Sequence, residues 1–321
     1  MSVGTFYDSL RLLKIILDVN GVGIVFYEEK ESILRPTYEE ARGINGAGIE
    51  KCSRLFGAMS KRRSIPLARS PSGIPGRDPG VGGGILLPLY FRENQNPEGN
   101  TSGHYVFLLS KRSKNVQQPG DLCAPGGGIH PLLDSLSGKL LRFGLLPGTR
   151  GPGFALAKRR GKSIHEKILF LLGNALRESW EELRLSPFNV EFLGPLPTYR
   201  LRHRTWIIFP MVGRVKHCWK PKLSWEVEKI VSIPLETFFH PANYAVYSLE
   251  VAENLITQGI PSPWEFPCFV HKEDGEEEIL WGATFEVIQT FFKIVFDFSF
   301  PSPDTQRVVH MSLASNYFSG R

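Results

Sequence analysis

Apolar residues along the middle and C-terminal parts of the chain come in short dense runs set between turn residues. ILLPLYF (85–91) and HYVFLLSK (104–111) are strand-length runs. The polar connection 92–103 between them predicts a hairpin or two neighbours in one sheet. WIIFPMVGRV (206–215) and VEKIVSIPL (227–235) predict further strands. FPCFVH (266–271) and EEILWG (277–282) flank Glu273, Asp274 and Gly275, a hairpin signal. ATFEVIQTFFKIVFDF (283–298) has helical length and is apolar nearly all round, so it predicts a largely buried closing helix. Pro301 and Pro303 open a tail expected to be irregular. Upstream, Phe6, Leu10, Leu13 and Leu17 have helical spacing over 5–18, residues 46–62 are weakly helical, and 65–84 is a Pro-, Gly- and Ser-rich linker or arm.

One helix carries more than a packing pattern. In residues 165–185, Leu172, Leu176, Trp180 and Leu183 fall on one side. Glu178, Glu181 and Glu182 share an arc of roughly a quarter of the circumference on the other. Carboxylates spaced i, i+3 and i+4 repel, and a divalent cation with oxygen ligands would remove that cost. An ordinary solvated acidic face, with Arg177 and Arg184 as partners, accounts for the same residues. A second signal lies upstream: LLSKRSKNVQQPGDLCAPGGG (108–128) runs from a strand through Lys111 and Arg112 into a Pro-Gly-Gly-Gly turn. Glycines let a backbone approach an anion or metal closely. Such a turn taken alone is only a flexible connection.

In this order the segments resemble the Nudix hydrolases, whose signature couples a glycine turn to a helix bearing RExxEE. Here that helix reads Arg177-Glu178-Ser179-Trp180-Glu181-Glu182. Leu108-Leu109-Ser110-Lys111-Arg112-Ser113, Gly120-Asp121 and Ala124-Pro125-Gly126-Gly127 look most like the coenzyme A diphosphatase branch. The resemblance covers roughly 82–298. It implies an α+β fold, a Nudix-type α/β/α sandwich with a mixed sheet. The domain would span 82–300, after an N-terminal extension (1–81) and before the tail (301–321).

It also implies an activity: metal-dependent hydrolysis, with Mg²⁺ or Mn²⁺, of a diphosphate in a nucleoside diphosphate derivative. Coenzyme A or acyl-coenzyme A would give 3′,5′-ADP and 4′-phosphopantetheine. The alternatives are another substrate of this class (NADH, ADP-ribose or capped RNA) and a non-catalytic nucleotide- or RNA-binding scaffold. Glu178, Glu181 and Glu182 would be metal ligands, with Glu178 as the base by family analogy. Gly127 would give a carbonyl ligand, and Arg177 would hold the carboxylates. Gly126, Lys111 and Arg112 would lie on the phosphate side, Arg112 alternatively serving a structural ion pair. Glu182→Gln is expected to abolish hydrolysis with little loss of folding, as at a surface carboxylate.

Several positions depart from the family pattern. The family passes from the glycine turn to the signature arginine in about fourteen residues, with an acid eight before that arginine. Here 49 residues separate Gly127 from Arg177. The acid position is Leu169, with Glu166 three residues earlier. Arg184 replaces the late glycine, Ala124 an aromatic residue, and Gln117 the upstream motif's second arginine, which weakens coenzyme A specificity.

Composition matters chiefly through where the charge sits. The 321 residues hold 38 Lys and Arg against 32 Asp and Glu, a net charge of +6. Residues 129–173 alone hold eight basic side chains against Asp134 and Glu166, also +6, with KRRGK (158–162) the densest cluster. The insertion is expected to emerge beside the site, as a lid for an anionic substrate or as a solvated loop. Nucleic acid is a possible partner but is not favoured. No apolar run is long enough to span a bilayer. Four scattered cysteines without a CxxC pair suggest no zinc site and a cytoplasmic setting. The histidines lack metal-ligand spacing, and Arg200, Arg202 and Arg204 read as an edge strand or as adenosine contacts. Neither the oligomeric state nor the role of residues 1–80 is legible.

Overall fold

The computed structural model describes residues 82–94, 102–146, 152–201, 206–256, 261–273, 275–313 and 317. The predicted helix 5–18, the segment 46–62, most of the linker 65–84, and Arg202 and Arg204 lie outside the described residues.

A mixed sheet forms the middle layer. Its strands are β1 (Gly83–Asn94), β2 (Ser102–Arg112), β3 (Leu122–Cys123), β4 (Val190–Pro195), β5 (Tyr199–Arg200), β6 (Ile207–Val215) and β7 (Val227–Pro234). The order is β3-β2-β1-β6-β4, with β7 also on β2 and β5 also on β6. β1 and β2 pair antiparallel, with Leu89 opposite Phe107, as the two apolar runs predict. β1 and β6 are parallel.

Because side chains alternate along a strand, β2 serves two cores. Phe107 and Leu109 enter one cluster, while Val106 and Leu108 enter the other. The first cluster lies under the closing helix α5 (Gly282–Phe296). Phe291 meets Phe107 edge-on at 5.2 Å between ring centres, and Phe238 stacks on Phe269 at 4.2 Å. The second cluster is covered by α1 (Pro131–Arg142), α2 (Pro152–Arg159) and α3 (Lys162–Leu183). This is the helix–sheet–helix layering that the resemblance implies.

A second sheet follows, with strands β8 (Tyr244–Val251), β9 (Trp264–Glu273), β10 (Glu276–Trp281) and β11 (Asp304–Leu313) in the order β10-β9-β8-β11. The short helix α4 (Glu253–Ile256) follows β8. The β9–β10 hairpin turns at Gly275, φ +83°, a conformation that suits glycine.

The tail corrects the expectation of irregular structure. Beyond the prolines, β11 pairs in parallel with β8, and the buried Tyr317 hydroxyl donates to Asp121. The insertion 129–173 is also no loop. It folds into α1, α2 and the first half of α3, so the carboxylate helix runs 22 residues.

Candidate active site

Two glycines of β1 let the carboxylate helix lie close on the sheet. A Cβ on Gly84 would come within 2.3 Å of the Leu171 carbonyl oxygen, and one on Gly83 within 1.8 Å of the Gly127 carbonyl oxygen. Asn174, fully buried on α3, ties the parts together. Its Oδ1 accepts from the Gly84 N–H at 2.6 Å. Its Nδ2 donates to the Gly128 carbonyl at 3.0 Å and to Asp134 at 3.1 Å. One amide thus fixes strand, glycine turn and α1 against α3, with both its donor and acceptor ends used.

Arg177 is the second brace. Its Nε donates to Asp134 at 2.8 Å, and its two terminal nitrogens donate to Glu178, Glu181 and the Gly128 carbonyl at 2.8 to 3.0 Å. Asp134 has no exposed surface and also accepts from the His130 N–H at 2.6 Å. Asp134 lies six residues after Gly128, and six is the spacing left when an acid stands eight before an arginine that follows the turn by fourteen. The insertion therefore enters between Asp134 and Arg177.

Neither sequence candidate for that acid fits. Leu169 is buried in the helical core, and Glu166 is exposed and pairs with Arg142. Asp134 and Asn174 are the site residues that the sequence reading passed over. The Gly128-to-Asp134 spacing was the available signal for the first.

The three glutamates separate into two kinds. Glu178 and Glu182, one turn apart, face the glycine turn. A Cβ on Gly127 would lie 2.6 Å from the Glu178 carboxyl carbon, and the Gly126 N–H donates to Glu182 at 3.3 Å. Burial raises the pKa of Glu178 against the opposing pull of Arg177. Burial pushes Glu182 from 4.5 to about 8, aided by the nearby charge of Glu178. Glu182 is thus a buried group, 8% exposed, and not the surface carboxylate expected. Glu181 is half exposed and turned to Arg177. Trp180, expected in the core, is exposed as well, with the Arg184 guanidinium 5.3 Å from its ring centre. Arg184 caps α3 at φ +55°, a left-handed conformation that favours the glycine of the resembled signature.

Strand alternation splits the basic pair. Lys111 turns to the second sheet and bonds Glu278 at 3.0 Å, in a cluster with Lys229. Arg112 lies on the α3 side, where its charge lowers the Glu182 pKa and its Nε donates to the Gln117 carbonyl at 2.6 Å. The cations of KRRGK are likewise remote. Lys162 precedes Glu178 by 16 residues on one straight helix, or about 24 Å at 1.5 Å per residue. A lid built from this cluster does not fit that geometry.

The chemistry of the site suits a hard divalent cation. Glu178 and Glu182 offer desolvated oxygens whose like charges oppose each other, beside a turn with backbone groups free of side chains. Mg²⁺ is commonly held by one or two carboxylates, its shell completed by water and phosphate. Among the described residues, no three acidic, histidine or cysteine side chains converge as a finished metal site. Glu178 and Glu182 are the carboxylates that face the glycine turn.

No family model matches the chain. The mouse peroxisomal coenzyme A diphosphatase NUDT7 is 22% identical over 204 residues, covering 62% of this chain and 64% of that protein. This likeness agrees with the resemblance to the Nudix hydrolases that the sequence carries. The chain spans under two thirds of that relative's length. Two solved structures are similar over part of their length. A C. elegans Ap4A hydrolase in a binary complex is 14% identical, with TM-score 0.29 over 48% of this chain and 80% of that one. The Nudix hydrolase RenU of M. smegmatis is 13% identical, with TM-score 0.29 over 48% and 71%. The helix that resembles the Nudix signature is α3, and 42 residues lie between Asp134 and Arg177. No helix among the described residues is long and apolar enough to cross a membrane.

Proposed function

We propose that this Nudix protein hydrolyses the diphosphate linkage of a nucleoside diphosphate derivative, using Mg²⁺ or Mn²⁺. The observation that carries the reading is the pair Glu178 and Glu182, both desolvated against the Gly126–Gly127 turn, with Arg177 locked beside them by a buried Asp134. A bound cation would supply charge neutralisation of the diphosphate and a more acidic water. The protein's own part is positional. Asn174 and Arg177 hold the turn and carboxylates in register, Gly126 orients Glu182 through its N–H, and Glu178 accepts the proton of the attacking water. Glu181 serves as an outer ligand that can swing from Arg177. Gly127 gives close approach to Glu178, its carbonyl oxygen being packed against Gly83. Arg112 faces the phosphates, whereas Lys111 is held by Glu278 and is assigned no substrate role.

Within that class, coenzyme A or acyl-coenzyme A is the proposed substrate, supported by the upstream motif and the mouse relative. A second reading, another nucleoside diphosphate substrate, is favoured by Gln117, which meets Arg112 through its backbone carbonyl where relatives carry an arginine.

The test is purified full-length protein with Mg²⁺ or Mn²⁺ and a panel of coenzyme A, acyl-coenzyme A, NADH, ADP-ribose and capped RNA, with products separated by chromatography. 3′,5′-ADP from the first two is expected. No product from any of them would leave the scaffold reading in its place.

A further inference from the structure

α1 is amphipathic in the wrong sense for a helix on a water-facing surface. Asp134, Gly138 and Leu141 face α3, and a Cβ on Gly138 would lie 3.3 Å from the Phe170 Cα. The opposite side is apolar. Leu132, Leu133, Leu136, Leu140 and Phe143 fall within an arc of about 100° at 100° per residue. All are exposed, Leu132 to 80% and Phe143 to 74%. Solvated helices place polar residues there, and a contiguous apolar patch marks a contact surface.

The border of the stripe is cationic. Lys139 and Arg142 follow on one flank, both exposed. Arg142 then opens a cleft of about 370 Å³ between the three helices, lined also by Phe154, Lys158, Lys162, His165 and Glu166. Three cations and a histidine face one carboxylate. Burial, with the charges of Lys158 and Arg142, lowers the His165 pKa, while Glu166 raises it. The cleft lies at the far end of α3 from Glu178 and Glu182, too distant to hold the diphosphate being cleaved.

We infer that the outer face of α1 docks on an anionic phospholipid surface, with the leucine stripe entering the headgroup boundary and the cleft of Arg142, Lys158 and Lys162 taking lipid phosphates. A leucine-rich stripe with a basic border is the pattern of a helix lying in the membrane interface. The cations select anionic over zwitterionic lipid. A second copy of the chain is the less favoured occupant, since two such faces would bring like-charged borders together.

Flotation of the full-length protein with vesicles tests this. Binding is expected to phosphatidylcholine vesicles containing phosphatidylserine, and not to phosphatidylcholine alone. Leu136→Glu with Phe143→Glu, both exposed positions, abolishes flotation while the melting temperature is unchanged. Lys158→Gln with Lys162→Gln weakens binding about thirtyfold, at about one factor of five per surface cation. The inference is overturned if the wild type fails to float with anionic vesicles, or if the Leu136/Phe143 variant floats as well as the wild type. It is also overturned if the wild type is a dimer that this variant dissociates and that does not float.

Discussion

Two ion pairs join the antiparallel helices α1 and α3, one at each end, and they share little beyond their charges. Asp134–Arg177 is held at 2.8 Å between side chains 0% and 14% exposed, and Arg177 has further partners in Glu178 and Glu181. Arg142–Glu166 spans 3.2 Å between side chains 52% and 44% exposed. Near the first pair, Asn174 and the β1 glycines bring helix, strand and turn into contact. Around the second, the helices spread to leave a cleft. One end of the helix pair is built to fix atoms in place and the other to present charge, and the difference in burial sets what each pair is worth.

Removing Asp134 is the strongest way to break the first end. Asp134→Ala leaves Arg177 without its buried partner, and losing one member of a buried pair costs about 3–5 kcal/mol. A fall of that size in urea-unfolding free energy is expected, with loss of hydrolysis. A variant as stable as the wild type would mean that the brace is ornamental. Gly127→Ala is the gentler attack on the same end. Its Cβ would sit 2.6 Å from the Glu178 carboxyl carbon, so the carboxylate must move. A displacement on the order of 1 Å can cost about a hundredfold in rate. That loss in kcat with unaltered folding is the expected outcome; unaltered kcat would remove Glu178 from the chemistry.

The burial of Glu182 makes the first end pH-sensitive. Its pKa is about 8 in the fold against 4.5 in the open chain, because burial disfavours the charged form. Between those values the folded state binds more protons than the unfolded state, so stability falls as pH rises. The loss begins near pH 4.5 and is complete above about 8. Asp121, raised by burial to about 6, adds a smaller loss at the acid side of this window. Metal-free protein is expected to lose a few kcal/mol, on the order of 1.4 per pKa unit, between pH 5 and pH 9 in urea melts. Glu182→Gln should flatten that profile while abolishing metal-dependent hydrolysis. A profile unaffected by the substitution would place the titration elsewhere.

The two ends also differ in how far the sequence exposes them. Glu178, Glu181 and Glu182 are visible from a 3.6-residue period, and the glycine turn from its own composition. The sheet's first two strands and the closing helix follow from apolar runs. Asp134 was hidden because 42 residues intervene before Arg177, and spacing rules assume continuity. Alternation along β2 sends Lys111 and Arg112 to opposite faces, which a motif read as adjacent letters obscures. β11 escaped because Pro301 and Pro303 precede it and its partner β8 is distant in sequence. Periodicity alone puts Trp180 in the core, whereas it stays exposed beside the Arg184 guanidinium. The leucines of α1 lie in an insertion expected to be a lid or a solvated loop, and which of their faces is covered follows only from where α3 packs.

The smallest expected effect lies at the open end, and it sharpens the contrast most. Arg142→Ala removes an exposed pair, and such pairs contribute about 0.2–1 kcal/mol. The helices should stay in register, since Gly138 and Gly173 keep their backbones in contact: a Cβ on Gly173 would lie 2.9 Å from the Ser137 Cβ. Stability should therefore fall by no more than about 1 kcal/mol, and the deficit should shrink further in high salt, because exposed charges are screened. Asp134→Ala should keep its full cost under the same salt, since its partner is buried. Equal salt sensitivity of the two variants would show that burial does not set the difference between the ends. With unequal sensitivity, one helix pair holds a rigid site at one end and a solvent-tuned charge cluster at the other.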